Sequence, residues 1–596
     1  MAEKITGEMM IREVTTQYPG IEAVLALHGL EGCGGPKGPL EPIAFFAKVH
    51  RVDVDMLLKD LNDFVEGKVT KPISAEVKAR AAPLSNLYKL FMYSGLLVLV
   101  TAGAGLGALN LADMAFKGSF VTLWPSLTQV HAHSQILGWV GLFIMGVAYT
   151  VVPRLKGTVL WREDLAVASF WLVISGLVIR MFAQPLDASI VSAIALVLSG
   201  ALELAGVALF LRIILKTMST GTMAQEFFEN YLKAGLVWML LGVIGNFILV
   251  TLLPIKGTAV IPESYLAPYV TSQLLGFITM MVLGIGWRTH PEFLGLKSPD
   301  ARYQPLLFWV LNIAIALLVA GEVVQAFVPG MAVQVINLIA GTVIGLTLLA
   351  QFALINPFRK PIMDLKALGV DRSYEKYIKT AYLWLIAGAL LLIGISLYQG
   401  ITGHAVPYYW LTAFRHVMAV GFVTTMIMGQ ASKIVPVFAG AWLYSPLMLM
   451  PIYILLTFGN LLRVVSQIEA GMRGGPSYIV MGISGFLLWI ATILFSFNLW
   501  QSMEGKGKAP VRRIAVTGHG PVTAEMIVAD VIDKYPETLD VFLKHGFTPL
   551  SNPVARRTMA KMITIEKATQ IHPMDVNVLL EALNTAVHEK SLAETK

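Results

Sequence analysis

His133-Ser-Gln-Ile-Leu-Gly-Trp139 opens a stretch that continues through Met145-Gly-Val-Ala-Tyr149-Thr-Val-Val-Pro153 to Gly157, and its pattern returns twice further along the chain. Ser134–Gly157, Ser272–Gly295 and Val417–Gly440 align without a gap. Each copy has glycine at one position (Gly146, Gly284, Gly429) and then Pro-x-x-x-Gly from Pro153, Pro291 and Pro436. The residue just upstream is His133 in the first copy and His416 in the third, but Thr271 in the second. Histidine inside an apolar span is costly and usually functional, so two at equivalent places point to one shared ligand.

Composition sets the surroundings. The chain is 56% hydrophobic and 14% charged, with a mean hydropathy of +0.68, which excludes an ordinary soluble domain. Twelve apolar stretches have spanning length, at about 86–110, 128–153, 165–183, 189–214, 231–253, 266–287, 306–328, 331–355, 379–400, 409–435, 446–467 and 477–500. The expected class is all-α, a polytopic membrane protein. Basic residues crowd one set of loops, Arg154, Lys156, Arg212, Arg288, Arg359 and Arg372 among them. The opposite loops carry only Lys117, Lys256 and Arg473. By the positive-inside rule both termini lie in the cytoplasm, in a bacterial inner membrane. No apolar core follows Met1-Ala-Glu-Lys4, so no signal peptide is expected. The net charge of +7 is mostly loop asymmetry and implies no nucleic-acid partner. A single cysteine, Cys33, excludes internal disulfides and thiolate clusters.

The repeat extends beyond one helix. Counting forward 283 residues takes His133 to His416, Gly176 to Gly459, Arg180 to Arg463 and Gln184 to Gln467. Tyr231-Leu-Lys233 and Tyr377-Ile-Lys379 open helices 5 and 9, with Tyr88-Lys89 a looser counterpart. Residues 84–503 therefore divide into four-helix units 84–216, 229–356 and 374–503, whose natural closed form is a pseudo-threefold ring. The ends repeat each other too. Tyr18-Pro19 and His28-Gly29 return as Tyr535-Pro536 and His545-Gly546, and Leu61-Asn62 returns as Leu583-Asn584. Residues 1–75 and 515–590 read as two copies of one small helical cytoplasmic domain.

Five histidines lie in or near the membrane. His133 and His416 fall about one turn below the same face and would share a heme iron, for which histidine is a common axial ligand. Arg180 and Arg463 lie at similar depth and would pair with the heme carboxylates. His131, about 200° round the helix from His133, points elsewhere and could serve a second heme or metal, or be structural. His404 belongs to a loop, and His290 to the opposite end of helix 6. Glu203 and Glu322 are intramembrane carboxylates suited to proton paths. Asn246, Asn312, Asn337 and Asn460 read as interhelical hydrogen-bonding residues.

Twelve helices in three arcs, with histidines on helices 2 and 10, resemble the main subunit of the heme–copper oxidase superfamily. The stretch from His133 to Pro153 is similar to helix 2 of nitric oxide reductases. That resemblance implies His133 and His416 as axial ligands of a low-spin heme. It also marks departures: Phe414-Arg415-His416 lacks the family's second histidine, and no histidine lies mid-membrane on helices 6 and 7. Oxygen reduction at a standard binuclear centre is therefore not expected. His131-Ala-His133 and Arg415-His416 resemble the NnrS family, heme proteins associated with tolerance of nitric oxide. Gly29-Leu-Glu-Gly-Cys33-Gly-Gly and His545-Gly-Phe-Thr-Pro-Leu resemble small domains of iron–sulfur repair and hybrid-cluster-associated proteins. There Cys33 would be redox-active, whereas alone it is equally well a structural thiol.

These readings converge on a b-type heme protein of nitric-oxide response or electron transfer, with one heme and room for a second. Its implied partners are membrane lipid, nitric oxide, and a quinone or redox protein. A quinol-linked reductase with a second divergent heme and a heme-free repeat transporter are the alternatives.

Overall fold

The computed structural model describes residues 4–28, 41–49, 52–68, 86–122, 125–186, 189–362, 365, 370–508, 521–553, 556, 560 and 563–594. Cys33 and its glycine-rich loop lie outside the described residues. The chain divides into two compact units, Met1–Gly507 and Lys508–Lys596.

Twelve helices are long and apolar enough to cross a membrane. They are helix 1 (Leu87–Lys117), helix 2 (Pro125–Leu155), helix 3 (Glu163–Ala183), helix 4 (Ile190–Ser219), helix 5 (Phe228–Lys256) and helix 6 (Glu263–Phe293). Helix 7 (Ala301–Phe327), helix 8 (Met331–Ile355), helix 9 (Glu375–Thr402), helix 10 (Tyr408–Phe438), helix 11 (Pro446–Arg473) and helix 12 (Ser477–Met503) complete the set. Helices 2, 6 and 10 are the most buried. The others carry outward apolar side chains such as Trp171, Phe182, Ile194, Trp309 and Phe458, a surface that only lipid satisfies.

The ring closes through small residues. Gly200 on helix 4 lies against Phe247 and Val250 of helix 5, and Gly341 and Gly345 on helix 8 lie against helix 9. Gly482 and Gly485 on helix 12 lie against Ala115, Leu111 and Ala108 of helix 1, where Trp489 Nε1–H donates to Val100 O at 2.7 Å. Each of the three repeats thus touches both of the others.

The motif now has a physical reading. A Cβ on Gly146, Gly284 or Gly429 would lie 2.9, 2.7 and 2.6 Å from the Cβ of Phe91, Tyr231 and Tyr377, so glycine lets the opening helix of each unit cross at close range. The register makes Phe91, rather than Tyr88, the counterpart of the two tyrosines. Gly157, Gly295 and Gly440 sit at φ 59°, 64° and 60° and end helices 2, 6 and 10. The next N–H bonds back to the carbonyl of Pro153, Pro291 and Pro436 at 2.8, 2.7 and 2.9 Å, a Schellman closure that needs a left-handed residue.

The two ends carry corresponding helices. The first copy has helices Ile11–Gln17, Glu22–Leu27, Ile43–Val49 and Val54–Val65, and the second has Val528–Lys534, Thr538–Lys544, Ile565–Ile571 and Val576–Glu594. Isolated bridges Met10–Pro42 and Ile527–Thr564 occupy equivalent places. Asn62 clasps the N–H and C=O of Ile5 at 2.8 and 3.0 Å, as Asn584 clasps those of Val522 at 2.6 and 2.9 Å. The first copy belongs to the same compact unit as the membrane helices. Arg12 donates to Ala441 O and lies over the Trp442 ring, and Phe45 packs with Leu365 and Val370. Glu41 accepts from Lys433 Nζ at 2.7 Å, with the ammonium also over the rings of Tyr374 and Phe293. The face opposite this domain, where helices 2, 6 and 10 begin, is the distal face.

Candidate functional site

Near the distal face each repeat offers two positions at the start of its central helix. The first is His131, Tyr269 or Phe414, and the second, two residues later, is His133, Thr271 or His416. Immediately after them helices 2, 6 and 10 widen into π-helical stretches, Ser134–Gly141, Ser272–Thr279 and Val417–Thr424. Hydroxyls of Thr279, Thr424 and Thr425 bond to carbonyls five residues back, which supports the wider turn. Such widenings are frequent at functional sites because they re-aim neighbouring side chains. On the following helix the matching positions are Arg180 and Gln184, Leu318 and Glu322, and Arg463 and Gln467.

At the junction of repeats one and two, the second position of one repeat bonds to the first position of its neighbour. Between repeats one and two, His133 Nδ1 lies 2.9 Å from Tyr269 OH and its Nε2 lies 3.0 Å from Glu203 Oε1. Asn246 Nδ2–H donates to Glu203 Oε2 at 2.8 Å. Arg180 donates to Asn246 Oδ1 and, at 3.0 Å, to Gln184 Oε1, while Gln184 donates to Gln129 and to Ala259 O. His133, Glu203, Asn246, Arg180 and Gln184 are each 3% exposed or less. The cluster is closed: both nitrogens of His133 are engaged by protein. Glu203, marked in the sequence only as an intramembrane carboxylate, is the centre of this network. At the distal end of the junction of repeats two and three the corresponding positions are Thr271 and Phe414, neither of them histidine. Thr271 Oγ1–H donates to Glu322 Oε1 at 3.0 Å, and Arg415 pairs with Glu263.

The junction of repeats three and one is different. His416 Nδ1–H donates to Thr412 O and His131 Nδ1–H to Gly103 O, both at 2.8 Å. A carbonyl can only accept, so each ring carries its proton on Nδ1 and keeps the Nε2 lone pair. Neither Nε2 has a hydrogen-bond partner among the described residues. Gly107 makes room for the His131 ring, since a Cβ there would lie 2.7 Å from Cε1. Both imidazoles are within electrostatic range of Arg463, and His416 is within range of His131. Arg463 is 6% exposed, yet its Nε and Nη1 are unpartnered among the described residues. A buried donor left without a partner costs about 1–3 kcal/mol, and more when charged.

The two histidines that the sequence aligns have different partners. His133 belongs to the closed junction with Arg180, and His416 to the open one with Arg463 and His131. His131, which the sequence places on a different side of helix 2 from His133, lies within electrostatic range of His416. The signal for Tyr269 was available two residues upstream of Thr271, once three copies are read in register. His290 lies at the other end of helix 6, bonded to Tyr382 OH at 2.7 Å and to Gln430 at 2.5 Å, and His404 is exposed. No group of three or more His, Cys, Asp or Glu side chains gathers among the described residues. Two open imidazoles beside an unpartnered guanidinium suit a flat macrocycle bearing its own metal and carboxylates.

The family described as NnrS protein matches residues 87–504, and one described as domain of unknown function DUF1858 matches residues 522–580. No curated protein matches the chain.

Proposed function

The chain belongs to the NnrS family, and on that premise we propose that it is a bacterial inner-membrane b-type heme protein of the nitric-oxide response. His131 and His416 would be the axial ligands, and Arg463 would pair with a propionate. One observation carries this reading: two imidazoles with Nδ1 tied to backbone carbonyls and Nε2 open, beside a buried, unpartnered arginine.

A bis-histidine heme supplies one-electron exchange at a potential tuned by burial and hydrogen bonding. The Nδ1–H bonds to Gly103 O and Thr412 O fix ring orientation and raise the basicity of Nε2, as outer-shell partners of metal-bound histidines generally do. Arg463 offers fixed donors to a carboxylate without further reorganisation. If His131 and His416 both held the iron, the group would supply one-electron exchange rather than an open site for nitric oxide. A quinone or a redox protein would exchange those electrons. His133, held by Tyr269 and Glu203, serves to position helix 2. The first small domain and the basic loops would face the cytoplasm, and the distal face would be external.

An optical spectrum of the purified protein tests the assignment. The expected low-spin, six-coordinate heme spectrum is lost in His131→Ala and in His416→Ala and kept in His133→Ala. Loss in His133→Ala with retention in His131→Ala would restore the pairing suggested by sequence alignment. A wild-type protein without a Soret band would leave only the transporter.

A further inference from the structure

Helix 11 carries more unpaired polarity than a propionate contact requires. Gln467 Oε1, both polar atoms of the Asn460 side chain and Thr457 Oγ1 are buried without partners among the described residues, as are Arg463 Nε and Nη1. Asn460 and Gln467 are each 1% exposed. These four positions fall within about 120° of the helix circumference and span about 15 Å along it. They begin one to two turns inside the distal end at Arg473 and finish near the middle of the helix. The second repeat also holds buried polar atoms without partners among the described residues, Glu322 Oε2 and Gln325 Oε1 on helix 7 and Asn337 Oδ1 and Thr342 Oγ1 on helix 8, but not at the positions that match Asn460 and Thr457. Below Arg180 the matching residues are Leu177 and Ile174. In the second repeat they are Ile315 and Asn312, and Asn312 is satisfied by Trp238 and Phe308 O. The stripe also stands beside an open junction, whereas Arg180 and Gln184 stand in a closed one.

We propose that Gln467, Arg463, Asn460 and Thr457 line a file of bound water that runs from the distal face to mid-membrane in the junction of repeats three and one. Buried polar atoms in native proteins have partners, and several along one stripe, too far apart for one small ligand, are met by successive waters. Asn460 suits this role because it both donates and accepts. The file gives the open junction an aqueous connection to one side of the membrane, through which protons and small neutral solutes reach its interior. This holds whether or not the junction carries a heme, so the two readings are tested separately.

Cysteine accessibility provides the test, and the single native cysteine makes it clean. In full-length purified Cys33→Ser protein, Gln467→Cys, Asn460→Cys and Thr457→Cys are treated with a small charged methanethiosulfonate. Arg473→Cys serves as the exposed control, and Leu461→Cys, on the lipid-facing side, as the apolar control. All three stripe positions should react within about tenfold of Arg473→Cys, while Leu461→Cys should be about 100-fold slower or worse because apolar burial keeps a thiol protonated. Rates at 460 and 457 equal to that of Leu461→Cys would overturn the proposal. So would reaction that appears only when His416→Ala removes the heme, since the macrocycle and not water would then cover the stripe. If Asn460→Cys aggregates on size exclusion, the conservative Thr457→Cys decides.

Discussion

Replacing Arg180 and Arg463 by leucine should shift the stability of heme-free protein in opposite directions, although the two arginines occupy matching places in their repeats. Arg180→Leu removes donors from Gln184 and Asn246 and leaves Glu203, 0% exposed, without its nearby cation. Breaking one side of a buried charge network costs about 3–5 kcal/mol. With an unfolding entropy of about 2.1 cal/mol/K per residue over roughly four hundred membrane residues, that lowers the midpoint by roughly 4–6 °C. Arg463→Leu instead removes a buried guanidinium with two unpartnered nitrogens, and should leave heme-free protein unchanged or up to about 3 kcal/mol more stable. The ranking reverses for heme content, where Arg463→Leu should lose heme and Arg180→Leu should keep it. The assay is thermal unfolding at one scan rate of protein made with and without heme synthesis, together with heme-to-protein ratios. Equal destabilisation by both substitutions in heme-free protein would refute the contrast between closed and open junctions.

Gly284→Ala places a Cβ 2.7 Å from that of Tyr231 and should cost about 1–3 kcal/mol, whereas Gly245→Ala, with nothing within 4 Å, should be neutral or stabilising; melting curves in detergent compare them. Glu41→Ala removes the 2.7 Å ion pair to Lys433, and should speed amide hydrogen exchange in Ile11–Gln17 several-fold without changing the heme spectrum. Tyr269→Phe deletes the partner of His133 Nδ1, and should broaden the low-spin ferric signal in electron paramagnetic resonance while heme content stays at wild-type level; a signal identical to wild type would count against positioning by His133.

Much of the architecture was legible because it is written in periodicities. Span length, the Gly and Pro-x-x-x-Gly positions and the offset of 283 residues all follow from helix geometry and backbone conformation, and they survive as the crossing and capping contacts of Gly146 and Gly157 and their counterparts. The pairing of the histidines was not legible in the same way. Alignment equates His133 with His416, but their surroundings differ: His133 bonds to Tyr269 and Glu203, whereas His416 lies within electrostatic range of His131 and Arg463. Deriving that needs the order of repeats around the ring and the π-helical widening after each histidine, and neither leaves a mark in hydropathy. Glu203 was visible as an ionisable group, yet its partners come from helices 2 and 5, which no local pattern connects. Cys33 lies outside the described residues.

The two outer junctions explain each other through helix 2. His131 and His133 are separated by about 200° on one helix, so the direction of either ring fixes that of the other. Two hydrogen bonds to His133, from different neighbouring helices, hold the rotation of helix 2 against thermal drift, and a buried polar network specifies a unique arrangement where apolar packing alone would tolerate several. On the proposed assignment, the closed junction would be the reference that sets the direction of His131 in the open one. A symmetric arrangement with an open histidine site in both junctions would lack that reference, and each ring would depend on its ligand for its orientation. On that assignment, Thr271 in place of histidine in the second repeat and the engagement of His133 by Glu203 would be two parts of one division of labour, in which a threefold scaffold uses one junction to set the geometry of another.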